Sequence, residues 1–299
     1  MIKIKTGSNR AIFYAILAAA LYGLNMPLSK ILLRETAPMM MAAFLYIGAG
    51  IGMLLLGAIR SKVITGWKSD PKLTRQDLPY TIMMVLLDIA APIFLMFGVT
   101  LTTAANASLL NNFEIVATAI IALMFFGEKI SKRLWIAITL ITLSSILLTV
   151  DDKSVFSFSI GSLLVLLACV CWGLENNCTR KISHKDPIQI VTIKGFGSGI
   201  GALCIALSVG EPLPALGSLP MVLLLGFVAY GLSIFFYTYA QRTIGAAKTS
   251  AYYAVAPFIG VGLSFLLVWE KPMPSFFIAL AIMVLGTYLT VQESNSSKQ

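Results

Sequence analysis

Four ionisable side chains interrupt otherwise apolar stretches of this sequence: Asp88, Glu114, Glu175 and Lys194. A charge inside hydrocarbon is costly, so such a group normally faces a cavity or a partner. Asp88 lies roughly 13 Å from the cytoplasmic start of the third run and Glu114 roughly 18 Å from the cytoplasmic end of the fourth, at helical rise. The two runs follow each other with almost no loop, so both carboxylates are expected to approach one space near mid-depth. Neither run carries a basic residue at matching depth. An unpaired carboxylate there is poorly solvated when charged and is suited to carry a proton. An inert polar contact between helices is the alternative for each. Lys194 and Glu175 sit at comparable depths on sequential runs, and a pair between them would neutralise both. Lys194 could instead meet a solute carboxylate, or snorkel to the membrane surface.

Amides and aromatic rings surround these charges in sequence. Asn106, Asn111 and Asn112 precede Glu114, and positions 107, 111 and 114 share one helical face. Amides both donate and accept hydrogen bonds, which suits recognition of a polar solute as well as bonding between helices. Trp172, Tyr230, Tyr237, Tyr252 and Tyr253 supply a candidate aromatic wall, with packing or interfacial anchoring as the alternative for each. His184, the single histidine, falls in a basic loop and is expected to be solvated. The four cysteines (Cys169, Cys171, Cys178 and Cys204) lie in apolar stretches without zinc-ligand spacing and read as small packing residues. No phosphate-binding GxxxxGK[ST] pattern, H-E-x-x-H or G-x-S-x-G motif occurs, so no catalytic residue, metal site or cofactor is assigned.

The elements that must position these groups follow from hydropathy. Apolar residues make up 58% of the 299 and charged residues 12%, about half the charged share of a soluble domain. Ten runs can each cross a bilayer: 12–33, 39–59, 79–101, 104–126, 132–150, 159–178, 187–209, 220–241, 246–268 and 273–291. The first is too long for a cleaved signal peptide and lacks a convincing cleavage site. The expected fold is therefore an all-α polytopic membrane protein of ten transmembrane helices.

The net charge of +9 suggests nucleic acid until its placement is considered. Seventeen of the 22 basic residues fall on one side of the spans, four on the other, and Lys194 lies within a span. That split places both termini in the cytoplasm and makes the lipid bilayer the partner, with no nucleic acid. The halves also repeat. YIGAGIG at 46–52 matches GFGSGIG at 195–201, and YGLN at 22–25 matches WGLE at 172–175. Glu128-Lys129 matches Glu270-Lys271, and LLTV at 147–150 matches YLTV at 288–291, in the same order. Each repeat, 12–150 and 159–291, holds five spans. Five is odd, so the second copy enters from the opposite face, giving two inverted repeats around a central site. Gly48–Gly52 and Gly197–Gly201 are GxxxG pairs that allow close helix packing. Pro27, Pro92 and Pro257 lie within spans and predict kinks.

These features resemble the EamA-type members of the drug/metabolite transporter superfamily. The carrying motifs are YGLNMPLSK at 22–30, with Tyr22 in a tryptophan position, and CWGLENNCTRK at 171–181. FFGEKIS at 125–131 and LVWEKPM at 267–273 close the fourth and ninth spans, and Pro257 marks the ninth. Ile115 stands where the fourth span commonly has proline, just after Glu114. The resemblance implies a cavity lined by spans one, three, four, six, eight and nine. It implies export of metabolites or drugs, often driven by protons, from a bacterial cell membrane. It also implies a structural or gating role for Glu128 and Glu270, each beside a lysine. The expected solute/proton pathway is Asp88, Asn111, Glu114, Trp172, Tyr230 and Tyr253. Uptake of an amino acid or related metabolite is the runner-up, and a membrane-embedded enzyme or assembly factor the reading of another class. Monomer and homodimer stay open.

Overall fold

The structure is a computed structural model that describes residues 3–63, 71–127, 130–150, 159–182, 184–244, 249 and 252–296. The regular elements of these segments are helices joined by short connectors. The helices are α1 (Lys3–Gly23), α2 (Asn25–Leu32), α3 (Pro38–Val63), α4 (Leu78–Leu101), α5 (Ala104–Leu110) and α6 (Phe113–Phe126). They continue with α7 (Lys132–Thr149), α8 (Ile160–Ile182), α9 (Pro187–Ser208), α10 (Leu219–Gly226), α11 (Ser233–Ile244), α12 (Ala256–Leu267) and α13 (Pro274–Ser296). Among the described residues nine segments are long and apolar enough to span a bilayer. The ninth expected span is represented by the shorter α12, because several residues before it fall outside the described set. The protein is an all-α polytopic membrane protein.

Four spans are discontinuous, each for a local reason. α1 and α2 meet at Leu24, where Pro27 has no N–H to offer the Gly23 carbonyl one turn back. α5 and α6 meet at Asn111–Asn112 without any proline. There the amides of Asn112, Glu114 and Ile115 bond three residues back rather than four, at 3.2, 3.2 and 3.0 Å. The Asn112 side chain donates to the Leu109 carbonyl at 3.3 Å, competing for the helix ladder as asparagine commonly does. A π turn, Phe227–Leu232, separates α10 from α11. Such turns recur at functional sites because they shift side chains out of α register. The ninth span breaks at Ala254–Val255, and Pro257, in the first turn of the α12 that follows, opens that helix rather than kinking one. Pro92 lies inside α4 without interrupting it.

Packing between helices relies on glycine. A Cβ on Gly195 would fall 2.5 Å from the Gly50 amide nitrogen, so α3 and α9 touch backbone to backbone there. The GxxxG residues point elsewhere. Gly48 and Gly52 lie against Leu223 of α10 and Phe227 of the π turn, and Gly197 and Gly201 against Val85 and Ile89 of α4. The α3–α9 contact uses the intervening face. α4 packs on α8, α1 on α11, α6 on α8, and α7 on α13.

The connectors sort into two faces. Lys185 pairs with Asp77 at 3.0 Å, the Asp186 amide donates to the Pro71 carbonyl at 3.0 Å, and the Leu73 amide to Gln189 at 2.9 Å. These tie segment 71–77 to segment 185–189. At other connectors the Glu211 carboxylate accepts from the amides of Met39 and Met40, at 3.3 and 2.9 Å, and so covers the start of α3. A carboxylate at a helix N-terminus satisfies otherwise orphaned amides and complements the helix dipole.

Candidate functional site

The breaks in the four spans surround a buried polar cluster. α9 delivers Lys194, whose ammonium lies 3.0 Å from Asp88 of α4 and 3.1 Å from Glu175 of α8. The Glu175–Lys194 pair expected from sequence is therefore present. Asp88, expected to lack a cation, has one, supplied by a span distant in sequence. Inspection of spans three and four alone misses it because depth matching must be made across the whole bundle. Asp88 is fully buried, and its Oδ1 also accepts from the Tyr46 hydroxyl at 3.0 Å and Trp172 Nε1 at 3.2 Å. The Thr179 hydroxyl donates to Glu175 from the next turn of α8. Two carboxylates and one ammonium are thus held by three neutral donors, Tyr46 from α3 and Trp172 and Thr179 from α8.

Glu114 stands apart from this ion cluster. It begins α6 just after the Asn111–Asn112 break, and its Oε1 accepts from Asn176 Nδ2 at 2.6 Å. Asn176 also reaches the Thr118 hydroxyl at 3.3 Å. Among the described residues Glu114 makes no ion pair, and it is only half-buried. Asp88 and Glu114, expected as direct neighbours, are separated in role. Asp88 is built into a salt-bridge cluster while Glu114 carries an amide partner alone.

A tyrosine wall completes the site. Ring centroids run from Tyr46 to Tyr230 at 5.1 Å, Tyr230 to Tyr22 at 6.0 Å, Tyr22 to Tyr253 at 5.9 Å and Tyr253 to Tyr237 at 5.0 Å. Each ring comes from a segment flanking a helix break or from α3. The hydroxyls are engaged. Asn25 donates to Tyr230 at 3.0 Å, Asn111 donates to Tyr22 at 3.2 Å, and Tyr253 shares a 3.3 Å bond with Ser233. Asn111, three residues before Glu114, ties the wall to the α5–α6 break through its bond to Tyr22.

Asp88, Asn111, Glu114, Trp172, Glu175, Lys194, Tyr230 and Tyr253 all belong to this one connected region. Sequence reasoning left out Tyr46, Asn25, Tyr22, Asn176 and Thr179 as site members. Tyr22 and Asn25 were visible as the ends of the YGLN motif, and Tyr46 opens YIGAGIG. Asn176 and Thr179 carried no sequence signal beyond their places one and four residues after Glu175.

Glu270 sits away from the cluster at the α4–α5 connector. Its two oxygens accept from the amides of Ala104 and Ala105 at 2.8 and 3.0 Å. Lys30 of α2 serves the other side of that connector, donating to the carbonyls of Val99 and Thr102 at 2.5 and 2.6 Å. Acid and base thus satisfy one helix start and one helix end that the break between α4 and α5 leaves exposed. Glu128 lies outside the described residues. Among the described residues no group of three or more His, Cys, Asp or Glu side chains is placed to hold a metal ion.

Known proteins match this arrangement along nearly the whole chain. The profile of the EamA-like transporter family fits residues 9–150 and again residues 159–292. An uncharacterized transporter of Methanothermobacter thermautotrophicus is 27% identical over 92% of this chain and 84% of its own length. The uncharacterized inner membrane transporter YedA of Escherichia coli strain K12 is 25% identical over 84% of this chain and 81% of its own. A protein of known crystal structure superposes with a TM-score of 0.65, covering 97% of each chain at 14% identity, so the two share a fold. With the family profile covering both halves of the helical bundle, the chain belongs to the EamA-like transporter family.

Proposed function

We propose that this transporter is a secondary exporter that exchanges a small metabolite or drug-like solute for protons. Glu114 carries the exchanged proton, and the chain sits in the cell membrane with both termini in the cytoplasm. Membership of a transporter family sets the enzyme reading aside. The observation that carries the coupling is the contrast among three acids. Asp88 and Glu175 share the Lys194 ammonium, whereas Glu114 has an amide partner and, among the described residues, no cation. A carboxylate in that position is poorly solvated when ionised, so its proton affinity changes with access to water on either side. If solute binds beside the same group, solute loading and proton loading exclude each other, which is a simple basis for exchange.

In this reading residues 12–150 and 159–291 are inverted five-helix repeats. The pairing of helices supports it. Exchanging the halves turns the α1–α11 contact into the α4–α8 contact, and leaves α3–α9 and α7–α13 as they are. The glycines of α3 face span eight and the matching glycines of α9 face span three, as such an exchange requires. The double fit of the family profile points the same way.

The test is solute-driven proton flux in proteoliposomes, using a panel of solutes with and without a pH gradient. Glu114→Gln keeps shape and hydrogen bonding but cannot titrate. The variant is expected to fold and retain some solute binding, yet lose transport driven by a pH gradient. Unchanged flux would remove Glu114 as the coupling site. Solute movement without proton flux in the wild type would favour a uniporter or another coupling ion. Topology is checked separately. Tags at residue 1 and residue 299 are expected to report the cytoplasmic side, and a label near Asp151, which lies outside the described residues, is expected to be reachable from outside. Termini on opposite sides would overturn the even span count.

A further inference from the structure

We infer that one acyl chain of an anionic phospholipid lies along α3, in a groove between α3 and span eight that is outside the polar cluster. The groove has a volume of about 370 Å³. One wall is a single face of α3. Gly48, Ile51, Gly52, Leu55, Leu56 and Ile59 recur every three and four residues, so they stack in one stripe. Leu224 of α10 and Phe227 of the π turn stand on the other wall. Every lining residue is apolar or glycine. Ile51, Leu55, Ile59 and Leu224 are exposed, on segments long and apolar enough to span a bilayer. The groove therefore opens onto hydrocarbon.

Shape selects the chain. Gly48 lies roughly 15 Å along α3 from Pro38, and the stripe from Gly48 to Ile59 runs roughly 16 Å further. The hydrocarbon core is about 30 Å thick, so the groove has the depth of one leaflet, the one on the Ile59 side. A volume of 370 Å³ spread over that length leaves a passage about 5 Å across. A helix with its side chains is about 10–12 Å across and does not enter. A hydrocarbon chain, whose atoms meet their neighbours at about 4 Å, does. Gly48 and Gly52 are already taken up by the Leu223 backbone and the Phe227 ring, so they do not offer a close-packing seat to a helix of a second copy. Charge selects the headgroup. Past Ile59 the last turn of α3 carries Arg60 and Lys62, and residues 60–75 together hold five basic residues and one acid. Lys72 and Arg75 are exposed. Basic residues gathered at one membrane surface favour anionic lipid. A chain in the groove packs against Phe227, the first residue of the π turn that presents Tyr230, and so supports the site from the lipid side.

The experiment follows the Tm of the purified full-length protein in detergent as dioleoyl phosphatidylglycerol, dioleoyl phosphatidylcholine or glycerol phosphate alone is titrated in. Phosphatidylglycerol is expected to raise the Tm saturably. Its half-maximal concentration is expected about five- to thirtyfold below that of phosphatidylcholine, the range of one or two basic residues near a membrane surface. Glycerol phosphate, a headgroup without a chain, is expected to leave the Tm unchanged. Leu55→Trp and Leu224→Trp, one on each wall, fill the groove and are expected to weaken the phosphatidylglycerol response at least about tenfold in concentration. Leu143→Trp, at an exposed position of α7 outside the groove, is expected to keep the full response. An undiminished response in both groove variants overturns the inference, and so does an equal response to the two phospholipids or any response to glycerol phosphate. A wild-type dimer that either groove variant abolishes, followed by size-exclusion chromatography, would give the face to a second copy and overturn it as well.

Discussion

Replacing Lys194 with methionine is expected to destabilise the protein by about 3–5 kcal/mol, enough to remove most of the folded material from a detergent extract. The methionine fills a similar volume, so the defect is electrostatic. Asp88 is fully buried and Glu175 nearly so, and both lose the ammonium that lies 3.0 and 3.1 Å away. The remaining donors, Tyr46 and Trp172 to Asp88 and Thr179 to Glu175, are neutral and do not cancel two charges. A buried pair adds little net stability when intact, because desolvation offsets attraction, but stripping one partner leaves an uncompensated charge. That asymmetry gives the control. The triple substitution Lys194→Met, Asp88→Asn, Glu175→Gln removes every charge of the cluster and is expected to recover much of the lost stability. Asp88→Asn alone leaves Lys194 with Glu175 and is expected to cost less than Lys194→Met. The measurement is the Tm of each variant in one detergent, with monodispersity followed by size-exclusion chromatography. Equal Tm for the wild type and Lys194→Met would mean that the cluster does not hold these helices. A triple variant no better than Lys194→Met would assign the defect to side-chain packing instead.

The contrast between Lys194 and its partners also shows what can be read from one dimension. Hydropathy marks helices because the bilayer dictates a length, and nine of the ten expected spans appear with ends within a few residues. The Glu175–Lys194 pair was predictable because its members lie at similar depths on sequential helices. The Asp88–Lys194 contact was not, since it joins α4 to α9 and depends on which helices are neighbours. The break at Asn111–Asn112 was hidden for a different reason. Proline is the usual sign of a broken span, and here Ile115 occupies its place while the Asn112 side chain competes for the helix ladder. The GxxxG pairs correctly marked α3 and α9 as close-packing helices. Which face of each helix meets which partner is a matter of rotation about the helix axis, and glycine spacing alone does not fix it.

Gly226→Ala and Gly48→Ala, each adding a single methyl group, are expected to lower stability by about 1–3 kcal/mol or more through overpacking. A Cβ on Gly226 would fall 1.9 Å from the Leu45 carbonyl oxygen, and one on Gly48 would fall 2.1 Å from that of Leu223. Both obstacles are backbone, so no rotamer change relieves them and α3 must move away from α10. Lipid tails are as apolar as the helix surfaces, so close contact and not hydrophobic burial holds the pair. The movement should also be felt at the site. Gly226 immediately precedes the π turn that presents Tyr230, and α3 carries Tyr46 one residue after Leu45. Separation of the two would loosen the Tyr46–Tyr230 ring contact and the Tyr46–Asp88 bond together. Gly262→Ala in α12 is the matched control. Nothing lies within 4 Å of its added Cβ, and alanine favours a helix interior over glycine by roughly 1 kcal/mol, so its Tm should stay level or rise. Thermal unfolding of the three variants decides the matter. A Tm for Gly226→Ala and Gly48→Ala no lower than that of Gly262→Ala would mean that α3 and α10 are not in backbone contact, and the placement of Tyr230 against Tyr46 would fall with it.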